Sequence, residues 1–211
     1  MTRAPRRVGG LRVGLLGGSF NPAHEGHLHI SRLALDHLGL DELWWLISPR
    51  NPLKPARGMA SFDERLAGAR TVAADPRIVV SGIERRLGTR YTADTLRALG
   101  ARFPRIAFVW VMGADNLAQI SRWKDWTAIF EAVPIAVFDR PSYSHGALVC
   151  GAARRFARFR IDPRHARRLA RLEPPAWVFV RGALNATSAS RIRQGGASRG
   201  RRGESAPAGS T

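Results

Sequence analysis

Short apolar runs alternate with amphipathic segments along most of this 211-residue chain. The apolar runs are rich in β-branched and aromatic residues, which is typical of buried strands in a parallel sheet. They predict strands at 11–16, 43–48, 78–81, 106–112, 135–138 and 177–180. The segments between them place apolar residues at helical spacing, which predicts helices at about 24–38, 61–74, 92–102, 114–131 and 163–172.

This alternation predicts an α/β fold of three layers, with a Rossmann-like doubly wound parallel sheet between two layers of helices. Ser61 and Glu64 have the spacing of a capping box, and Thr92 is expected to be the N-cap of the next helix. We predict one domain over residues 11–194, a flexible basic segment at 1–10 and a disordered Gly/Ser/Arg tail at 195–211. Ligands of such sheets bind at the carboxyl ends of the strands.

The formal net charge of +18 is compatible with nucleic acid, a membrane surface or anionic substrates as partners. The segment 153–172 contributes eight arginines against Asp162, and Lys54 and Lys124 are the only lysines of the sequence. Because nearly all basic residues are arginine, this bias indicates the general amino-acid composition of the protein as much as selection for a ligand. We therefore favour a solvated basic face over a nucleic-acid site for this segment, from Arg154 to Arg171.

Other compositional features narrow the class of protein. The apolar runs are too short to span a bilayer, and the basic residues 1–10 are followed by no apolar stretch of the kind found in a secretory signal. Cys150 is the single cysteine, so an intrachain disulfide is excluded, and this fits a reducing cytosol. We expect a cytoplasmic protein without a membrane partner.

The segment GGSFNPAHEGHLHIS, residues 17–31, carries the chemistry that stands out most. It follows the first predicted strand and leads into the first predicted helix. Gly17 and Gly18 would let a phosphate or a nucleobase approach the backbone, and the free amides of a helix start attract anions. His24 and His27 are three residues apart, hence on one face of the first helical turns. This arrangement predicts a phosphate-handling site.

Other interpretations of these residues are weaker. The GxxxxGK[ST] loop and the GxGxxG fingerprint are both absent, and Glu42 precedes the second strand instead of ending it. A zinc site built from His24, His27 and His29 is disfavoured, because His29 faces another side of the helix and no cysteine or carboxylate set completes it. Two histidines at this spacing alone would more often be ordinary surface or core residues. The interpretation as a phosphate site therefore depends on the motif around them.

The segment 17–31 resembles the H/T-x-G-H motif of the nucleotidylyltransferase superfamily, in the form typical of bacterial nicotinate-nucleotide adenylyltransferases. Four further matches follow in order, and the resemblance extends over about residues 11–193. They are NPLKP at 51–55, GTRYTADTL at 88–96, MGADNL at 112–117 with RWKDW at 122–126, and TSASRIR at 187–193. The last departs from the family pattern, since Ala189 and Ser190 stand where Ser and Thr are usual.

The resemblance implies transfer of an adenylyl group from ATP to nicotinic acid mononucleotide, with release of pyrophosphate and formation of deamido-NAD. It implies catalytic roles for His24, His27, Lys54 and Arg193. The implied ATP-binding residues are Gly17, Gly18, Ser19, Phe20, His24, His27, Gly113, Asp115, Ser188, Ser190, Ile192 and Arg193. The implied mononucleotide-binding residues are Asn51, Lys54, Tyr91, Thr92 and Trp123, with Trp123 stacking on the pyridine ring and Trp126 in the core.

Some alternatives stay open at the level of sequence. Asp115 either contacts the nucleotide or caps a helix. Because no carboxylate trio is evident, Mg²⁺ is expected to arrive with ATP, without a metal site on the protein. The substrate could instead be nicotinamide mononucleotide or phosphopantetheine, although GSFNP together with YTADTL and RW disfavours the latter. A rival from another class is a nucleic-acid-binding protein that uses the segment 153–172. The oligomeric state is not indicated.

Overall fold

The apolar runs of the chain form one parallel sheet. The structure, a computed structural model, describes residues 10–49, 58–139 and 144–181. Within these residues the strands are β1 Arg12–Gly18, β2 Glu42–Ile47, β3 Ile78–Ser81, β4 Ala107–Gly113, β5 Ile135–Phe138, β6 Arg160–Ile161 and β7 Trp177–Val180. Their order across the sheet is β3-β2-β1-β4-β5-β7-β6, and every neighbouring pair is parallel.

Helices connect these strands. They are α1 Glu25–Leu38, α2 Phe62–Val72, α3 Ile83–Leu87, α4 Thr92–Arg102, α5 Ala114–Gln119, α6 Trp126–Ala132, α7 Ser144–Val149 and α8 Gly151–Arg155. Shorter 3₁₀ segments lie at Ile120–Arg122, Ala157–Phe159 and Pro163–Arg171. The predicted capping box of α2 is confirmed, because the Ser61 hydroxyl accepts from the Glu64 amide and the Glu64 carboxylate accepts from the Ser61 amide.

Two apolar cores lie on opposite faces of the sheet. One is built against α1, α2 and the 3₁₀ segment Pro163–Arg171, and the other against α4, α5, α6, α7 and α8. The change of face comes where the chain leaves β3 at one edge and returns to β4 in the middle of the sheet. The predicted three-layer, doubly wound fold is confirmed.

The prediction of one long helix over 114–131 is wrong. The structure has α5, then a 3₁₀ turn, then α6. Trp123 adopts an extended backbone (φ −82°, ψ 142°) and Asp125 a left-handed one (φ 50°, ψ 39°), and neither continues a right-handed helix. Pro163–Arg171 is 3₁₀ and not α-helical, and α3, α7, α8 and β6 are not among the predicted elements.

The reversal of strand order places a crevice between β1 and β4. These strands pair with Leu16 opposite Val111, so Gly17 and Gly18 leave the same edge of the sheet as Gly113. From that edge α1 departs toward one core and α5 toward the other. In doubly wound sheets such a switch point is where ligands bind. The fold thus brings the glycine–histidine segment, residues 17–31, and the residues after β4 to one place.

Candidate functional site

The first turn of α1 is capped by two histidines. His24 is the N-cap, and its Nδ1 accepts from the Gly26 amide at 3.1 Å, while His27 Nδ1 accepts from the His24 amide at 3.2 Å. The two rings lie 3.9 Å apart, centroid to centroid. The expectation that they share one face is met.

This capping arrangement determines what the imidazoles can offer a ligand. A backbone N–H only donates, so each Nδ1 that accepts from one is unprotonated, and the proton of the neutral ring is on Nε2. His24 and His27 therefore each present an Nε2–H donor. Two neighbouring donors beside the amides of a helix start are suited to phosphate oxygens.

His27 is supported from below by apolar and polar contacts. The Phe20 ring lies 4.7 Å from the His27 ring and stacks on Trp45 at 5.1 Å. Trp45 Nε1 donates to the Ser31 hydroxyl at 2.7 Å, and that hydroxyl donates to the His27 carbonyl at 2.6 Å. Phe20 is 2% exposed and holds a left-handed backbone, φ 46°. Its buried ring supports His27, so a contact from Phe20 to ATP would have to come from its main chain.

The glycine at position 17 is required by a neighbouring tryptophan. A Cβ at Gly17 would overlap Cη2 of Trp110, an atom of a ring that is itself buried. At Gly18 the nearest atom to a Cβ would be Cε2 of Phe20, at 3.3 Å. The sequence alone indicates the approach of a ligand as the reason for these glycines. For Gly17 the structure shows another reason, the packing of Trp110 against β1.

The end of β4 supplies the second side of the crevice. Gly113 is the last residue of β4 and the N-cap of α5. The alternative interpretation of Asp115 as a helix N-cap is wrong, since Gly113 occupies that position and Asp115 lies inside the first turn of α5. Asp115 is half-buried. Its carboxylate is within one helical turn of the strand edge to which Gly17 and Gly18 also belong.

The expected N-cap of α4 is wrong by one residue. Tyr91, not Thr92, is the N-cap, with an extended backbone (φ −111°, ψ 143°), and no side chain caps this helix start. The Tyr91 carbonyl accepts from the Thr95 amide and so opens the helical ladder. A threonine side chain is in general a good N-cap, but Thr92 is the first residue of α4 and not the residue before it. No cap side chain therefore covers the first-turn amides of α4.

The two expected mononucleotide-binding segments lie close together. Lys124 Nζ lies 4.6 Å above the centre of the Tyr91 ring, which connects the start of α4 with the loop before α6. Trp123 is half-buried, and no other aromatic ring of the described residues stacks on it. Trp126 makes edge contacts with the rings of Phe130 at 6.3 Å and Phe156 at 6.0 Å, which agrees with its expected place against the core.

A buried carboxyl lies beneath this region and was missed by the sequence analysis. Glu84 of α3 is 7% exposed, and its Oε1 accepts from the Thr95 hydroxyl at 3.0 Å. The Thr95 and Thr89 hydroxyls are 2.9 Å apart. Burial raises the pKa of Glu84 to about 7, against a smaller lowering by the hydrogen bond from Thr95. Glu84 thus connects α3 to α4 below the segment 88–96.

We expect the stability of the protein to depend on the protonation of Glu84. Its folded pKa of about 7 lies above its ordinary value of 4.5, so the protonated carboxyl stabilises the fold below about pH 4.5. This contribution is lost as the pH rises through 7. Relative to Glu84→Gln, the wild type should lose up to about 3 kcal/mol of unfolding free energy over this interval.

Urea denaturation of both proteins at a series of pH values measures this difference. Glu173→Gln, at an exposed glutamate, is the matched control and should follow the wild type. Parallel pH profiles for the wild type and Glu84→Gln would contradict the prediction.

Several expected site residues lie outside the described residues. These are Asn51, Lys54, Ser188, Ser190, Ile192 and Arg193. Within the described part of the chain, no three His, Cys, Asp or Glu side chains are grouped so that they could hold a metal ion. His29, the third histidine of the zinc alternative, is exposed. Nor does any helix described there have the length and apolar character to cross a bilayer.

Comparison with known proteins relates this geometry to a family. The Cytidylyltransferase-like family model matches residues 15–195. A protein of Parvibaculum lavamentivorans named "Probable nicotinate-nucleotide adenylyltransferase" is 55% identical over 93% of this chain and 98% of its own length. A protein of Bradyrhizobium with the same name is 52% identical over 87% of this chain and 95% of its own. The chain belongs to the nicotinate-nucleotide adenylyltransferase family.

Solved structures support the same fold for this nicotinate-nucleotide adenylyltransferase family member. The nicotinic acid mononucleotide adenylyltransferase of Plasmodium falciparum, in a complex with NaAD, matches with a TM-score of 0.63 at 15% identity, covering 87% of this chain and 83% of that one. The same enzyme complexed with APC matches with a TM-score of 0.61 at equal coverage. The resemblance stated from the five motifs is confirmed, and the chain is an enzyme of the nucleotidyltransferase class.

Proposed function

We infer that this enzyme transfers the adenylyl group of ATP to nicotinic acid mononucleotide, giving deamido-NAD and pyrophosphate in NAD biosynthesis. The observation that carries the assignment is the pair of histidines at the sheet's switch point. Both have an Nδ1 occupied by a backbone amide and so offer Nε2–H donors at a helix start. Membership of the family gives the identity of the two substrates.

The reaction requires alignment and charge stabilisation more than a protein nucleophile. A phosphate oxygen of the mononucleotide attacks the α-phosphorus of ATP, and the bond from that phosphorus to the oxygen bridging it to the β-phosphorus breaks. Pyrophosphate leaves with the electron pair of this bond. Because the attacking group is already an anion, the protein's part is to hold both substrates in line and to bind the charge that gathers on the leaving group.

We propose roles for the expected site residues on this basis. His24 and His27 donate their Nε2–H groups to phosphate oxygens, with His27 in the leading role. The main chain at Gly18, Ser19 and Phe20 lies along the phosphates, and Asp115 accepts from the ribose or the base. The remaining proposed contacts to ATP are Gly17, Gly113, Ser188, Ser190, Ile192 and Arg193, and those to the mononucleotide are Asn51, Lys54, Tyr91, Thr92 and Trp123.

Enzymes of this family act on ATP together with a divalent metal ion. We propose that the ion is Mg²⁺ and that it is carried by the phosphates of ATP. The chemistry of Mg²⁺ supports this, because the ion keeps several waters and is usually bound through substrate phosphates. We also propose a cytoplasmic location, which the lone cysteine supports.

The tail at 195–211 should be dispensable. We expect deletion of these residues to leave kcat/KM within about twofold, because the segment offers no large apolar side chain with which to dock. Steady-state kinetics of the full and shortened chains measure this. Collapse of activity on truncation would instead make the tail part of the site, and our domain boundary at 194 would be wrong.

The rival function is nucleic-acid binding through the segment 153–172. Several of its arginines are engaged locally: Arg164 pairs with Asp162 at 2.8 Å, and the guanidinium groups of Arg158 and Arg160 lie over Phe159 and Trp177. These contacts support a solvated basic face. Pyrophosphate release with ATP and nicotinic acid mononucleotide, measured beside a salt titration of RNA binding, separates the two functions. Turnover with weak, strongly salt-dependent RNA binding is the expected result.

A further inference from the structure

Arg65 of α2 is a charged residue inside the fold. It lies three residues after Phe62 and four before Ala69, on the face of α2 that packs toward the sheet. Its exposed fraction is 4%, although arginine is almost never fully buried without a partner for its charge. A charge at such a position has to be bound by polar groups within the fold.

All hydrogen bonds of the guanidinium go to main-chain carbonyls, and its carbon also lies 5.7 Å from the centre of the Phe62 ring. Nε donates to Ala60 at 3.1 Å, Nη1 to Ser19 at 2.6 Å and to Ser48 at 2.9 Å, and Nη2 to Pro49 at 3.2 Å. These bonds use four of its five N–H donors. Among the described residues no carboxylate accepts from it. Burial lowers the pKa of Arg65, but its ordinary value is so high that the side chain stays charged at neutral pH.

The four carbonyls belong to three segments that meet beside the glycine–histidine turn. Ser19 directly follows β1, Ser48 and Pro49 follow β2, and Ala60 precedes α2. Asn21 connects two of these segments a second time, since its side chain accepts from the Ala60 amide and donates to the Gly58 carbonyl. Arg65 is the shared centre of this arrangement, which fixes how the chain turns from β1 toward α1.

We propose that Arg65 is a positioning residue for the phosphates of ATP. It holds the Ser19–Phe20 turn in register with the end of β2 and keeps a permanent positive charge beneath the turn. The inference rests on the proposed function and adds to it a residue that need not touch the substrate. Its neutralising partner is the anionic ligand itself, which explains why the binding groups around it are carbonyls without a full negative charge.

Substitution of Arg65 tests this assignment. In Arg65→Met, kcat/KM for ATP should fall by about thirtyfold, because the Ser19–Phe20 turn proposed to lie along the phosphates loses its support. KM for nicotinic acid mononucleotide should stay within about threefold, because the start of α4 and the loop before α6 accept none of the hydrogen bonds of Arg65. Arg65→Lys keeps the charge but has only three donors at one point and cannot reach all four carbonyls. It should therefore lose about tenfold. Arg70→Met, at an exposed arginine on the same helix, is the matched control and should stay within about twofold.

A second readout does not depend on turnover. Calorimetry with ATP alone should show weaker binding to Arg65→Met than to the wild type, and no change for Arg70→Met. Folding of each variant is checked by circular dichroism and thermal melting, with kinetics measured well below the melting temperature. If Arg65→Met does not fold, the kinetics and calorimetry of Arg65→Lys test the positioning role instead.

The outcomes are distinguishable. A wild type that releases no pyrophosphate overturns the proposed function, and the calorimetry then still tests Arg65. A folded Arg65→Met with kcat/KM for ATP within about threefold of the wild type overturns the positioning role. So do an equal increase in KM for ATP and for nicotinic acid mononucleotide, and failure of both variants to fold, which would make Arg65 a structural residue of the core.

Discussion

Replacing His27 by alanine should lower kcat by about two orders of magnitude or more while leaving the fold intact. The structure supplies the reason, because His27 Nδ1 is occupied by the His24 amide and its Nε2–H is the group that can donate to a phosphate oxygen. Negative charge gathers on the leaving pyrophosphate as the reaction proceeds, so this bond is strongest in the transition state. Its loss should reduce kcat far more than it raises KM for either substrate.

The capping role of His27 has to be separated from its proposed chemical role. His27→Asn is suited to this, since the asparagine Oδ1 takes the place of Nδ1 and can still accept from the N-cap amide. Its side chain ends one bond short of the position of Nε2, so kcat should remain low although the helix start is retained. His29→Ala, at an exposed histidine of α1, is the control and should be close to the wild type. Near-normal kcat in folded His27→Ala would remove His27 from the reaction.

The second large effect concerns the choice of mononucleotide. The enzyme should prefer nicotinic acid mononucleotide to the nicotinamide form by at least about a hundredfold in kcat/KM. The amides around 91–94 and the positive end of the α4 dipole are suited to a carboxylate. The structure changes one detail of this expectation, because Thr92 is not the cap, and no cap side chain covers the first-turn amides of α4.

The size of the preference follows from the chemistry of the two rings. A nicotinamide presents an NH₂ group where the carboxylate has an acceptor, and a donor facing amide donors costs about 1–3 kcal/mol when buried. Loss of the charge-assisted hydrogen bond adds a comparable amount. Together these give about 2–6 kcal/mol, a range whose middle exceeds the roughly 2.7 kcal/mol that a hundredfold ratio requires.

Measuring kcat/KM for both mononucleotides at saturating Mg-ATP gives the ratio directly. A ratio below about ten would place this protein among enzymes that accept both substrates and would remove the proposed role of the α4 start.

The strands were the most predictable part of the fold. Buried parallel strands are near-continuous apolar runs, so β5 and β7 coincide with the predicted 135–138 and 177–180. The break between α5 and α6 was not predictable in the same way. It depends on the backbone conformations of Trp123 and Asp125, which the helical spacing of apolar residues does not predict.

In the candidate site, too, some features were predictable from the sequence and others were not. The spacing of His24 and His27 after a strand and two glycines was readable from the sequence, because helical periodicity fixes which residues share a face. The residues that hold the site in place were not readable. Arg65, Glu84 and Ser31 are polar residues of helices, and only the structure shows that all three are buried and bonded within the fold. The one signal for Arg65 was a charge on the apolar face of α2.

The most direct test of the account follows the phosphorus atoms of ATP. The purified protein is incubated with nicotinic acid mononucleotide and ATP labelled either at the α- or at the γ-phosphorus. Adenylyl transfer predicts that the α label is recovered in deamido-NAD and the γ label in pyrophosphate, in equal amounts and only when the mononucleotide is present. Recovery of the γ label in inorganic phosphate or in the mononucleotide, with no α label in a dinucleotide, would contradict it.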